Sequence, residues 1–133
     1  MKTLVVYYSK TGTTKKAAQS VIDSVNCDYD ELLYDEKAKS VTSNRAPSDY
    51  ERVILLAPVW AFSLAEPMKI YLSKHESEIK RYDLIVTCGS LGLRGCVKHC
   101  ISKIGTPPGA SMKLKAKHVK RGEYDISPVA GKT

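Results

Sequence analysis

The chain has 133 residues, 43% hydrophobic and 26% charged, a composition ordinary for one globular domain around a single core. No apolar run approaches the ~20 residues of a membrane span, and residues 4–8 are too short for a secretory signal, so a cytoplasmic protein is expected. The net charge of +7 is one-sided: residues 94–133 carry 9 Lys/Arg against 2 Asp/Glu, while the first 93 residues balance. Such a field can steer acidic partners or phosphorylated ligands, although scattered lysines also make a merely solvated face.

Residues 2–8 read as a buried strand, an almost unbroken apolar run with β-branched and aromatic members. The loop after it carries Ser9, Thr11, Thr13, Thr14 and Gly12, and Thr13 or Thr14 can cap the helix that follows. Ala17, Ala18, Val21, Ile22 and Val25 recur at helical spacing. A helix N-terminus carries about half a positive charge, so hydroxyls and free N–H groups gathered there suit a phosphate. No Gly-x-Gly-x-x-Gly and no Gly-x4-Gly-Lys-Ser/Thr is present, which removes the usual support for dinucleotide and P-loop readings. The acidic cluster of a phosphoacceptor domain is also missing, since Tyr8-Ser9-Lys10 stands there.

Tyr29 to Tyr34 make a short second strand, and residues 35–48 read as a polar loop in place of a second helix. Val53 to Ala57 form an apolar strand that Pro58 is expected to end. A helix begins after Pro67, with Met68, Ile70, Tyr71 and Leu72. Tyr82 to Cys88 is the next buried strand, followed by the loop Gly89-Ser90-Leu91-Gly92. Cys96, Val97, Cys100, Ile101 and Ile104 then make a helical stripe, which the run Gly105-Thr106-Pro107-Pro108-Gly109 stops. Met112, Leu114, Ala116 and His118 alternate with lysines, so the last strand is expected to have one wet face. Gly122, Pro128 and Gly131 argue against a long closing helix. The expected organisation is one domain over residues 1–119, with 120–133 a tail packed on it or extending from it.

Four cysteines without Cys-x-x-Cys spacing suggest reduced, buried thiols. Cys96, His99 and Cys100 share a helical face and could begin a metal site, but a closed zinc site wants a fourth ligand, so core packing is the better reading. His75, His99 and His118 show no nucleophile or carboxylate pattern, and no catalytic side chain is evident. The basic residues lack an aromatic stacking platform, which disfavours nucleic acid.

Strands alternating with helices, several buried on both faces, mean an α/β fold with a doubly wound parallel sheet. Ligands of such sheets bind beyond the carboxyl ends of the strands, where residues 9–14, 58–66 and 88–95 would meet. The places Val5, Val6, Tyr7, Ser9, Gly12, Thr14, Ala18 and Val21 match the N-terminal signature of the flavodoxin family without a mismatch. The run Asp49-Tyr50-Glu51-Arg52-Val53-Ile54-Leu55-Leu56-Ala57-Pro58-Val59-Trp60 and the spacing to Pro67-Met68-Lys69 resemble that family and related FMN reductases. The likeness covers most of residues 2–104.

The resemblance implies about five strands in the order 2-1-3-4-5, with the second and C-terminal helices missing or truncated. It implies non-covalent FMN: Ser9, Thr11, Gly12, Thr13 and Thr14 on the phosphate, Pro58, Val59, Trp60 and Ala61 beside the isoalloxazine with Trp60 as the stacking ring, and Gly89, Ser90, Leu91 and Gly92 closing the other side. Three departures stand out. The third loop offers Leu91 and Leu93 rather than an aromatic, the chain is basic where such carriers are acidic, and a lost final helix would leave a sheet face for a homodimer to cover. The leading expectation is an electron carrier between redox proteins. An NAD(P)H-dependent oxidoreductase acting on a quinone or other small acceptor is the alternative, and an interaction module without cofactor the third reading.

Overall fold

In the computed structural model, which describes residues 2–131, the chain opens on β1 (Thr3–Tyr7), buried at all five positions. Helix α1 (Thr13–Ser24) follows, turning Thr14, Ala17, Ala18 and Val21 inward. Its cap is Gly12 at φ 96°, with no side-chain cap bond, rather than Thr13 or Thr14. That left-handed conformation is one a glycine adopts without a Cβ penalty. Strand β2 (Asp28–Glu31) pairs parallel with β1, and β3 (Leu33–Asp35) folds back on β4 (Ser40–Thr42) as a small antiparallel hairpin. The expected loop over 35–48 therefore holds a hairpin, whose Tyr34 and Val41 pack on the core where a second helix would have lain.

Strand β5 (Arg52–Trp60) continues past Pro58. Pro58 ends the ladder with the next parallel strand, not the strand itself, because Val59 and Trp60 pair instead with β6 (Ser63–Leu64) in a tight hairpin. Helix α2 (Glu66–His75) has its proline in the first turn. Strand β7 (Tyr82–Cys88) is buried throughout and leads to α3 (Leu93–Ile104). Strand β8 (Ser111–Lys115) stops earlier than the alternation suggests, and Ala116 and His118 lie in α4 (Ala116–Arg121), followed by α5 (Ser127–Ala130). The overlooked signal is a helical one: Val119 lies three residues after Ala116, and Gly122, at φ 73°, caps the turn.

The parallel strands run β2-β1-β5-β7-β8, which is the expected order 2-1-3-4-5 of a flavodoxin-like sheet. One face, with Leu4, Val6, Leu55 and Leu84, packs on α2 and α3 through Met68, Leu72, Cys96 and Cys100. The other, with Val5, Ile54, Ile85 and Leu114, packs on α1 and on the tail through Val119, Val129 and Ala130. This corrects the expectation of an uncovered sheet face. Two helical turns of tail suffice, because a buried arginine ties them down: Arg52 Nη2 donates to Val129 O at 2.8 Å. The ground offered for a homodimer, a bare sheet, is thus removed. Lys132 and Thr133, at the end of that tail, lie outside the described residues. Among the described residues no helix is long and apolar enough to cross a membrane.

Candidate functional site

At the carboxyl ends of β1, β5 and β7 the three marked loops converge on a cleft with two lobes. The first, of about 230 Å³, is lined by Thr11, Thr13, Thr14, Pro58, Val59, Trp60 and Gly89, together with Lys10, Thr87, Cys88, Ala116 and Lys120. The second, of about 330 Å³, is lined by Val59, Ala61, Phe62, Cys88, Gly89, Ser90 and Leu91. Val59, Cys88 and Gly89 belong to both, so the lobes are neighbours across one wall. One lobe is hydroxylated and the other apolar.

The hydroxylated lobe is organised before any ligand enters. Gly12 N donates to Ser9 Oγ at 3.0 Å, which folds the loop and leaves the Ser9 hydroxyl proton free. Thr11 Oγ1 and Thr13 Oγ1 stand 3.4 Å apart. Thr14 Oγ1 and Thr87 Oγ1 share a buried hydrogen bond of 2.7 Å. That bond uses one of the pair's two hydroxyl protons, so the other remains available. Thr14 is therefore half committed to β7 rather than wholly free for a ligand. The first intrahelical bond of α1 runs from Lys16 N to Gly12 O, so the N–H groups of Thr13, Thr14 and Lys15 precede it and point out of the helix end.

Charge in this lobe is positive and light. The first turn of α1 contains no acid, and among the described residues neither lobe is lined by Asp or Glu. Lys10 Nζ lies 5.6 Å from the centre of the Trp60 ring, so a cation rests over the indole. The ring is also fixed edge to face with Tyr8, centroids 5.7 Å apart, and Tyr8 in turn meets Tyr34 at 6.2 Å. Burial, and then the charge of Glu36, pushes the Tyr8 phenol above its ordinary pKa, so it stays neutral behind Trp60.

The apolar lobe is built on a strained turn. Ala61 and Phe62 both occupy the left-handed region, at φ 52° and 63°, as a two-residue hairpin with this twist demands. Asn and Gly are the usual occupants; a β-carbon there costs of order 1–3 kcal/mol. The flanking pairs Val59↔Leu64 and Trp60↔Ser63, with Ala65 N donating to Pro58 O at 3.0 Å, hold the turn in place. Two close approaches position it. A Cβ on Gly95 would stand 2.0 Å from Phe62 O, and one on Gly92 would stand 2.3 Å from a Val59 methyl, with Gly92 itself at φ 124°. The result presents Phe62, 71% exposed, opposite Leu91, 66% exposed.

Of the residues singled out from sequence, Thr11, Thr13, Thr14, Pro58, Val59, Trp60, Ala61, Gly89, Ser90 and Leu91 line the cleft. Ser9, Gly12 and Gly92 shape its loops. Lys10, Phe62, Thr87, Cys88, Ala116 and Lys120 were missed. Thr87 and Cys88 had a signal, being the last two residues of a strand that ends at the site; Ala116 and Lys120 had none, because their place depends on α4. The Cys88 thiol is pushed up in pKa by burial, while the nearby cations Lys113 and Lys115 pull it down. Lys113 Nζ donates to Ser90 O at 2.9 Å and so steadies the third loop. Cys96 and Cys100 face the core, where burial chiefly raises their thiols to about 11 and about 12. Among the described residues no three metal-ligating side chains cluster.

A family model described as a flavodoxin domain matches residues 4–128. No curated protein matches the chain. Among solved structures the chain is similar to a flavoprotein in complex with FMN from Lactobacillus acidophilus NCFM, at 19% identity and TM-score 0.74 over 90% of this chain and 97% of that one. It is also similar to a flavodoxin from the domain Archaea, at 18% identity and TM-score 0.57 over 98% and 99%. A flavodoxin, WrbA-like protein from Agrobacterium tumefaciens gives 17% identity and TM-score 0.63 over 78% and 71%.

Proposed function

The chain belongs to the flavodoxin domain family, and we propose that it is an FMN-binding electron carrier working between redox proteins in the cytoplasm. One observation carries this reading: a hydroxyl-lined helix N-terminus and an apolar lobe open side by side at the carboxyl edge of the sheet. The donor set fits the group. Thr11, Thr13, the Thr14–Thr87 pair and the free N–H groups of α1 offer hydrogen bonds to a phosphate, with Lys10 and Lys120 as the lining cations. Val59, Ala61, Phe62, Gly89 and Leu91 offer apolar side chains and backbone to a flat ring. FMN, when bound, supplies the chemistry, taking up and returning one or two electrons.

The protein's own part is to bind, orient and tune. Thr14 and Thr87 fix the floor of the hydroxylated lobe by their mutual bond, so the donors are set before the ligand arrives. Trp60 is held by Tyr8 and Lys10, which gives the cleft a rigid aromatic wall. Phe62 and Leu91 add apolar surface at the open edge of the apolar lobe.

The carrier reading and an NAD(P)H-dependent oxidoreductase differ in the electron donor that reduces the flavin directly. Anaerobic mixing of the FMN-loaded protein with NADPH is the discriminating experiment. The expected result is slow or no bleaching by NADPH alone, and fast bleaching once a flavoprotein reductase is added. Rapid bleaching by NADPH alone, with turnover of a quinone, makes it an oxidoreductase.

A further inference from the structure

The surplus charge of the chain has a place in the fold. Lys10 and Lys120 line the hydroxylated lobe, and Lys16 Nζ donates to Lys120 O at 3.2 Å, which joins the start of α1 to α4. Lys113 Nζ is bonded to Ser90 O of the third loop, and Lys115 pairs in register with Cys88 at the cleft wall. Lys117, two residues further on in α4, is exposed. Lys113, Lys115, Lys117 and Lys120 thus gather basic groups on the β8–α4 side of the mouth, while Lys10 lies over Trp60. The opposite side is charge-balanced: Glu31 lies beside Lys15 at 3.5 Å, and Glu66 is bonded to Tyr34 Oη at 2.9 Å and paired with Lys39 at 3.4 Å, towards β2 and the β3–β4 hairpin. The mouth thus has one basic side and one charge-balanced side, with Phe62 and Leu91 exposed at its apolar lobe.

We propose that the basic side, or rim, of the mouth is the docking surface for an acidic redox protein, one that presents a cluster of Asp and Glu around its own electron-transfer centre. The proposal rests on the carrier reading and names the partner's chemistry. Redox encounters are small and brief, so opposed charge fields set how often and in which orientation they form. A one-sided rim orients the partner as well as attracting it, and the two apolar tips supply a small dry contact at the point where the cleft opens. A nucleic acid fits less well. Single strands need successive aromatic platforms, and of the exposed aromatics among the described residues, Phe62 is at the mouth and Tyr29 is on β2.

The test uses the full chain with two charge-reversed variants that leave the lining untouched. Lys115→Glu/Lys117→Glu/Arg121→Glu, the last at the exposed end of α4, cancels most of the charge on this side; Lys74→Glu/Lys80→Glu/Lys103→Glu makes the same net change away from the mouth. Amide NMR shifts are followed while poly-L-glutamate is added, with or without FMN. Shifts concentrated over residues 89–91 and 113–121, abolished by the rim variant and kept by the distal one, support the proposal. Shifts spread over every lysine-bearing face, no shifts, or tighter binding of an oligothymidylate overturn it.

In the FMN-loaded, dithionite-reduced protein, ferricyanide and hexaammineruthenium(III) each accept one electron. Two ions are consumed per two-electron-reduced flavin, and the released protons pass to buffer. Ferricyanide oxidation is expected to slow with added salt and to fall about tenfold in the rim variant, as local steering predicts, with less than about twofold change in the distal one. Equal effects of the two variants contradict the rim. Failure to take up FMN disables this second arm and the carrier reading, yet leaves the NMR footprint to decide the surface.

Discussion

Replacing Arg52 with Met is expected to remove about 3–5 kcal/mol of stability, a large part of the roughly 5–15 kcal/mol a domain has. The side chain is 2% exposed; Nε donates to Asp83 Oδ2 at 2.8 Å, and Nη2, in ion-pair contact with the same oxygen at 2.8 Å, donates to Val129 O. Asp83 Oδ1 accepts from Ala110 N at 2.8 Å. Met fills a similar volume, so the loss comes from leaving a buried carboxylate without its cation and the Val129 carbonyl without its guanidinium donor. The second consequence is local: α5 loses its tie to the sheet, and its amides should exchange early. Urea unfolding checks the first and hydrogen exchange the second. The double variant Arg52→Met/Asp83→Leu should recover much of the loss, since no charge then remains buried. A single-variant cost below about 1 kcal/mol shows the pair to be dispensable.

Gly95→Ala is expected to weaken FMN binding by about ten- to a hundredfold, roughly 1.4–2.8 kcal/mol, while leaving the fold intact. Alanine favours a helix over glycine by about 1 kcal/mol, so α3 itself gains. The new methyl, however, would lie 2.0 Å from Phe62 O, and a backbone carbonyl can yield only by moving the turn. Because Ala61 and Phe62 already sit in strained conformations, the hairpin tip is the part that gives way. Fluorescence titration with FMN measures the effect, alongside circular dichroism. Unchanged affinity means that the tip of the hairpin does not wall the flavin.

Much of the fold was legible because it is written in long apolar runs. Val53 to Ala57 and Tyr82 to Cys88 have no reading other than buried strands, and Ala17, Ala18 and Val21 mark one helical face. What was illegible is decided by distant contacts. The β3–β4 hairpin has only three residues per strand, and its hold on the core comes from Tyr34, whose hydroxyl bonds Glu66 thirty-two positions away. The tail carries a few apolar residues between glycine and proline, and Arg52, far back in sequence, makes it cover the sheet.

The candidate site divides the same way. Its three loops could be placed from sequence, because strand ends and glycine loops are local signals. The roles within them could not. Thr14 appeared free to hold a phosphate, yet its hydroxyl is shared with Thr87, seventy-three residues on. Phe62 went unnoticed because a hairpin turn without Asn or Gly carries no turn signature. The absence of an aromatic on the third loop is offset by this one on the second. Thr14→Ala would remove a buried hydrogen bond together with a ligand donor, so comparing two ligands on the native chain is the cleaner probe of the hydroxylated lobe.

That comparison is a titration of the apoprotein with FMN and, separately, with riboflavin, which lacks only the phosphate. One FMN per chain should quench, and riboflavin should bind at least about a hundredfold more weakly, roughly 2.7 kcal/mol carried by the donors at the start of α1. A folded protein that holds riboflavin as tightly as FMN, or that holds neither, contradicts the assignment of that helix end to a phosphate.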